Sequence, residues 1–299
     1  MVEYTITICN YNMSETIKQA LKSVLQQLDD RFEVLVVDDG SSDGSVDIVR
    51  SMTDEYPNLR LLALPADPGR HLGETRNIAV RNANGEHVLL QLDADDVYAP
   101  VIKDFVLVYE TIRSAVSDDF LFKGSSLTVG SRKFLMRRGP YRNLPVGAED
   151  LDMWRRLLAA GEVIWIEHEN PATEIGPKRG PAQETISSVR RGVKVRIGEF
   201  QTGISPISRI KWSIKEWRDS KRTGIEVCFG MIVTTYAFFV SLWRPRYSLP
   251  EKYRDKGVMR QEVSRRRTTV RKLEEEFGVE VSRAKLSEDG FRVFLCYKK

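Results

Sequence analysis

Three short polar stretches follow apolar, β-branched runs in the first hundred residues: Asn10-Tyr11-Asn12, Asp38-Asp39-Gly40-Ser41-Ser42 and Asp93-Ala94-Asp95-Asp96. If the runs are parallel strands, the stretches share one rim, because open parallel sheets bind ligands at the carboxyl ends of their strands. Two of the three then deliver carboxylates there. Like charges gathered at a rim repel unless a cation or a hydrogen-bonding ligand compensates them, which points to a metal ion or a nucleotide. In Asp93-Ala94-Asp95 the alternate residues of extended chain point the same way, roughly 6–7 Å apart. One of them can hold Mg²⁺ or Mn²⁺ while its neighbour engages a sugar hydroxyl, since hard cations accept one or two carboxylates plus substrate phosphates. Aspartates after strands also form turns and cap helices, and that simpler account suits Ser42 and Asp43. A later acidic pair, Glu149-Asp150, opens a helical pattern with Leu151, Trp154, Leu157 and Leu158 inward, closed by Gly161.

The elements that must position these residues are legible in the hydrophobic pattern. Apolar runs at Thr5–Cys9, Phe32–Val37, Leu59–Leu64 and His87–Leu92 alternate with helix-like segments, the rhythm of a mostly parallel sheet. After a Ser14 cap, Ile17, Ala20, Leu21, Val24, Leu25 and Leu28 form one buried stripe. Val46, Val49 and Met52 mark a second helix, Thr75 to Ala83 a third, and Pro100 starts a fourth with Ile102, Phe105, Val106, Tyr109 and Ile112 on one face. Ser126–Val129, Lys133–Met136 and Val163–Ile166 read as short strands.

The 299 residues are 41% apolar and 29% charged, so the chain can bury a core and is not disordered. The net charge of +4 conceals a division near residue 177. Residues 1–177 carry 18 Lys and Arg against 28 Asp and Glu, whereas residues 178–299 carry 28 against 14, so the halves are −10 and +14. Such asymmetry indicates different partners for the two halves. Cys9, Cys228 and Cys296 are scattered and odd in number, which excludes a disulfide framework and offers no zinc spacing. A reducing compartment is expected. The start of the chain has no basic segment followed by an apolar one, so a cleaved signal peptide is not expected.

Residues 176–224 are rich in Gly, Pro, Ser and basic residues, with Trp212 and Trp217 among Lys211, Lys215, Arg218, Lys221 and Arg222. From Val227 to Trp243 run 17 uncharged residues, followed by Arg244 and Arg246. As a helix this run is roughly 25 Å long, slightly short of a hydrocarbon core of about 30 Å. Basic residues on both sides favour a monotopic or re-entrant helix over a simple span. The end of the chain reads as a charged helix from about Arg254 to Phe277 and a hairpin turning at Glu288-Asp289-Gly290, with Phe291, Val293, Leu295 and Tyr297 alternating. Three regions follow: 1–177, an α/β domain; 178–249, a basic segment with an apolar helix; and 250–299, a small α+β end.

The stretch from Thr5 to about Trp165 resembles glycosyltransferase family 2, the inverting family with the GT-A fold. The resemblance is carried by Asn10-Tyr11-Asn12, by Val37-Asp38-Asp39-Gly40-Ser41-Ser42-Asp43, by Gly73 to Gly85 feeding Leu92-Asp93-Ala94-Asp95-Asp96, and by Gly147-Ala148-Glu149-Asp150, in family order. It implies that Tyr11 and Asp39 hold the base and that Arg76 lies near the base or diphosphate. It further implies that Asp93 contacts the ribose, that Asp95, or Asp96 in its place, binds the metal, and that Asp150 is the catalytic base. His168 falls where some members supply a late metal ligand, although Glu167 and Glu169 make a solvated strand end equally suitable. An inverting transfer needs one base for the acceptor hydroxyl, and a helix N-terminus at Asp150 favours its ionised form.

The expected activity is therefore a Mn²⁺- or Mg²⁺-dependent inverting transfer of a sugar, from a UDP-sugar by default, at the cytoplasmic face of a cell membrane. The acceptor classes are a glycan, a lipid-linked saccharide or a polyprenyl phosphate. The alternative is a catalytically silent nucleotide-sugar-binding protein or scaffold of a membrane glycan-assembly complex. Nucleotidyltransferases and dinucleotide dehydrogenases are disfavoured, because no glycine-rich loop follows the first strand. No nucleic-acid-binding module is recognisable in the basic half.

Overall fold

Strand and helix alternate through the first hundred residues of the computed structural model, which describes residues 1–145, 147–176, 181–220 and 224–296. The order is β1 (Tyr4–Asn10), α1 (Ile17–Leu25), β2 (Phe32–Asp38), α2 (Ser45–Thr53), β3 (Leu59–Ala63), α3 (Leu72–Asn82) and β4 (His87–Asp93). Then follow β5 (Asp96–Tyr98), α4 (Ile102–Arg113), β6 (Leu121–Lys123), β7 (Thr128–Ser131), α5 (Arg132–Arg138), α6 (Glu149–Ala159), β8 (Val163–Ile166) and β9 (Ala172–Glu174). The remainder comprises α7 (Pro181–Gln201), α8 (Pro206–Ser220), α9 (Gly224–Ser241), α10 (Lys256–Arg266), β10 (Arg267–Thr268) and α11 (Val270–Phe277).

Eight strands form one sheet in the order β10-β8-β6-β7-β4-β1-β2-β3, with β7 antiparallel to its neighbours and the other pairings parallel. Every residue of β2 is buried, and all but one of β1, as expected of strands covered by helices on both faces. Register matters more than composition for the site. Asn10 lies opposite Asp38 and Cys9 opposite Asp93, so the polar ends of β1, β2 and β4 reach one rim together. Near that rim β4 slips in register against β1, and Gln91 adopts a positive φ of 67°. Such bulges re-aim side chains beside active sites; here the Gln91 carboxamide accepts from Thr128 Oγ1 at 2.9 Å and Lys123 Nζ at 3.2 Å.

Several expectations need correction. Ser14 does not cap α1; its N–H donates to Asp43 Oδ2, and the helix begins at Ile17. Lys133–Met136 is helical within α5, because Ser131 Oγ accepts from Phe134 N and nucleates a turn. The single charged helix expected from Arg254 to Phe277 is interrupted by β10, whose Thr268 carbonyl accepts from Glu167 N at 2.8 Å. The terminal hairpin is absent: Glu288–Gly290 is a helical turn continuing into a π-type turn at Phe291–Leu295, and Tyr297 lies outside the described residues. The consecutive residues Val293, Phe294 and Leu295 are all buried, and Phe294 packs against Phe105 and His168. Asp104 fixes this end by accepting from both Ser287 N and Ser287 Oγ at 2.7 Å. Gly290 sits so close to the Asp104 carboxyl that any Cβ would strike it.

The basic region is helical where no helix was expected before residue 227. In α9, Ala237 and Thr234 are buried toward α7, with Arg196 Nε donating to Thr234 Oγ1 at 3.1 Å, while Phe229, Ile232, Tyr236, Phe239 and, beyond its end, Trp243 are exposed. Among the described residues no helix is long and apolar enough to cross a membrane. Lys221 and Arg222, expected to flank the apolar run, lie outside the described residues.

Candidate active site

The two aspartates after β2 divide their work. Asp38 is buried and accepts from Asn10 Nδ2 (2.6 Å), Ser41 Oγ (2.6 Å), Ser41 N (2.9 Å) and Gly40 N (3.0 Å), so its oxygens are spent on shaping the loop. Gly40 has φ +78°, with the Ala66 backbone where a Cβ would stand. Asp39 faces the cleft instead, where it receives Arg70 Nε and, at 3.1 Å, Thr75 Oγ1. Tyr11, beside Asn12 with its positive φ of 54°, is exposed at the cleft edge, a ready stacking surface.

At the end of β4, Asp93 N donates to Tyr98 OH at 2.8 Å, and Ile175 N donates to Asp95 O at 2.8 Å. The acidic turn is thus clamped from β5 and the chain following β9. Asp95 lines the cleft, whereas Asp96 pairs across the small β5–β9 ladder with Glu174. Of the two expected metal-binding acids, Asp95 is the one in the cleft wall. Partial desolvation and the charges of Asp95 and Asp96, opposed by Arg76, push Asp93 up to about 6. Desolvation, Asp95 and Glu174 raise Asp96 as well.

Arg76 on α3 joins the two acidic groups. Its Nη1 stands 2.5 Å from Asp150 Oδ1 and 3.0 Å from Glu149 Oε1, and its Nη2 lies 3.8 Å from Asp93 Oδ1. Tyr141 presents its ring to the guanidinium at 5.5 Å. Burial, reinforced by the Asp150 charge, raises Glu149 above the usual carboxylate range although Arg76 opposes it. The two acids differ in access: the Glu149 side chain is 1% exposed and Asp150 is 29% exposed. Only Asp150 can meet an incoming hydroxyl. The cleft has a volume of about 590 Å³, and Tyr11, Asp39, Arg76, Asp93 and Asp95 all line it. That is space for a ligand the size of a nucleotide.

Comparison with known proteins bears on this geometry. The family model described as glycosyl transferase family 2 matches residues 5–146, which contain Tyr11, Asp39, Arg76, Asp93 and Asp95 but not Glu149 and Asp150. Residues 5–146 are thus similar to glycosyl transferase family 2. An uncharacterized glycosyltransferase of Nostoc sp. is 33% identical over 111 residues, covering 37% of this chain and 34% of that protein. The chain thus spans about a third of that relative's length. Mannosyltransferase PcManGT from Pyrobaculum calidifontis, solved with GDP-Man and Mn²⁺, superposes with a TM-score of 0.53 at 18% identity, covering 88% of this chain and 86% of that one. Staphylococcus aureus TarS 1–349 with UDP-GlcNAc superposes at 0.53 and 16% identity, covering 93% and 92%. These likenesses establish the GT-A fold: a mixed α/β architecture with a mostly parallel sheet flanked by helices.

Beyond the matched segment, His168 is not placed as a metal ligand. Its Nε2 accepts from Ser125 N at 2.9 Å and its Nδ1 donates to Glu169 O at 2.7 Å, so both ring nitrogens are engaged by backbone. Burial pushes it down to about 4, against an ordinary 6.5. The unfolded chain therefore takes up a proton that the fold refuses, and stability present above about pH 6.5 is lost as pH falls toward about 4. We expect the urea midpoint of the wild type to fall from about pH 7 to about pH 5 by more than that of His168→Gln, whose carboxamide can still accept from Ser125 N.

Other residues of the cleft escape motif reading. Arg70 and His71 come from the Pro68-Gly69 turn ahead of α3, and Lys194 reaches the cleft from α7. The turn is a weak signal for the first two; nothing local marks Lys194. Among the described residues no three His, Cys, Asp or Glu side chains converge as a self-sufficient metal site.

Proposed function

We propose that the chain is an inverting glycosyltransferase that moves a sugar from a nucleotide-sugar, a UDP-sugar by preference, to a hydroxyl or phosphate acceptor at the cytoplasmic face of a membrane. The observation that carries this reading is Arg76, which lines the cleft together with Asp39, Asp93 and Asp95 and pairs at its other side with Asp150. Tyr11 and Asp39 hold the base, and Asp93 takes the ribose. Asp95 suits Mn²⁺ or Mg²⁺, which accept one or two carboxylates when substrate phosphates complete their shell. Bound there, the cation would supply charge stabilisation to the leaving diphosphate. Asp150 accepts the proton of the attacking hydroxyl, held at the ready by Arg76, while Lys194 adds positive charge above the diphosphate. GDP-Man and Mn²⁺ with PcManGT, and UDP-GlcNAc with TarS, support a nucleotide-sugar donor.

The membrane part of the proposal rests on surfaces. On α8 the exposed Ile207, Ile210 and Ile214 alternate with Lys211, Lys215 and Arg218, and α9 adds exposed Phe229, Ile232, Tyr236 and Phe239. Apolar side chains flanked by basic ones suit an anionic interface, where each basic residue contributes about 1 kcal/mol. The silent-scaffold reading retains the same cleft without turnover, so activity decides between them. Purified full-length chain is screened for release of nucleoside diphosphate from UDP-, GDP- and dTDP-sugars with Mn²⁺, Mg²⁺ or EDTA. We expect turnover of one donor class, abolished by EDTA and in Asp95→Ala. Absence of turnover with every donor, alongside intact nucleotide binding, would favour the scaffold.

A further inference from the structure

A second cavity, of about 570 Å³, is walled by α6, β8, α7 and α10, and nothing in the proposed donor chemistry uses it. Its α6 wall begins at Leu151, next to Asp150, and continues through Trp154, which is one helical turn from Asp150. Trp154 and Trp165 meet edge to face in this wall, their centroids 5.2 Å apart, and the Arg267 guanidinium lies 4.5 Å from the Trp165 ring. Arg155 lines the same cavity and is 4% exposed. Among the described residues Arg155 makes neither a hydrogen bond nor an ion pair; its Nε is buried without a hydrogen-bond partner, and its guanidinium lies 5.7 Å from the Trp154 ring.

Glu167 and Glu199 line the same cavity, and the carboxylates whose charge reaches Arg155 also have other arginines. Asp152 is held by Arg142 at 3.2 Å and Arg156 at 2.9 Å, and Glu199 is paired with Arg209 at 3.2 Å. A guanidinium taken out of water without hydrogen bonds is strongly disfavoured. Burial lowers its proton affinity, with Glu199 and Asp152 opposing. Hydrophobic residues of similar volume would make a more stable wall than this arginine does. The planar fork matches the oxygens of a phosphate, which would supply the missing partners.

We infer that this cavity binds the phosphate of the acceptor, a phosphomonoester or phosphodiester held by Arg155 with Arg260 and Arg267 beside it. The inference rests on the proposed transfer reaction and names its acceptor class. The phosphate serves as a handle, and the aromatic pair offers apolar faces to the adjoining chain or sugar.

The test is binding to full-length protein by titration calorimetry. Probes are inorganic phosphate, glycerol 3-phosphate, and zwitterionic vesicles with or without polyprenyl phosphate. Wild type should bind phosphate-bearing probes, Arg155→Met should weaken them by roughly tenfold or more, and Arg155→Lys by less. Binding of glycerol 3-phosphate alone assigns a soluble acceptor; binding only of vesicles carrying polyprenyl phosphate assigns a lipid one. Arg155→Met should also unfold at no lower urea concentration than wild type, because it removes an unpaired charge. Equal phosphate affinity in wild type, Arg155→Met and Arg267→Met would overturn the inference, as would an Arg155→Met protein that unfolds more easily. Nucleotide-sugar binding without phosphate binding sinks this inference alone; phosphate binding without any nucleotide-sugar binding sinks the transfer reaction.

Discussion

Asp150→Asn should abolish glycosyl transfer, lowering kcat by about 10²- to 10⁴-fold, the usual contribution of a positioned general base. The substitution is nearly isosteric, and the amide oxygen can still accept from Arg76 Nη1, which lies 2.5 Å from Asp150 Oδ1. Folding and donor affinity should therefore persist while proton acceptance is lost. Glu149 cannot substitute, because its side chain is 1% exposed and its oxygens are taken by Arg76 and by Gly147 N at 2.6 Å. The check is kcat and KM measured with the donor class identified in the screen. A variant retaining more than about a tenth of wild-type kcat would remove Asp150 from the role of base.

Arg76→Met should be the most destabilising of these substitutions, by about 3–5 kcal/mol, because it leaves the buried Glu149 carboxylate without its cation. Asp150 and Asp93 lose the same partner, though both reach solvent and suffer less. The sign of the pH dependence follows. Glu149 is already raised by burial, and without Arg76 it rises further, so protonation relieves the variant as pH is lowered. Urea denaturation should show a deficit that shrinks as pH is lowered from about 9 toward about 7, where Glu149 of the wild type takes up its own proton. The double variant Arg76→Met, Glu149→Gln should regain most of the loss, since removing both partners is far less costly than removing one. A deficit independent of pH and unrelieved in the double variant would contradict this account.

The legible and illegible parts of the molecule differ in the range of the interactions that form them. β1, β2 and β4 could be read because their buried faces leave near-continuous apolar runs, and their polar ends follow within a residue or two. Tyr11, Asp39, Arg76, Asp93 and Asp95 accordingly meet in one cleft. The shared guanidinium was not legible, because Arg76 meets acids 73 and 74 residues later in the chain. Nor was the end of the chain. The alternation of Phe291, Val293 and Leu295 suits a strand, but Asp104, 183 residues before Ser287, holds the backbone in a turn instead. In α7, Gly192 and Gly198 dilute the helical pattern; Gly198 is needed where Ala148 presses against the helix. The two readings left open for His168 could not be decided from the sequence, because residue type reveals nothing of the two backbone groups that occupy its ring nitrogens.

Helix α7 lends Lys194 to the donor cleft and, one position later, Val195 to the cavity behind α6, with Glu199 one turn on. The two compartments therefore share a wall. A shift of that helix alters both volumes at once, so a ligand that favours one setting in either compartment biases the other. Thermodynamic reciprocity then requires that whatever factor a bound donor applies to acceptor affinity, the acceptor returns to the donor.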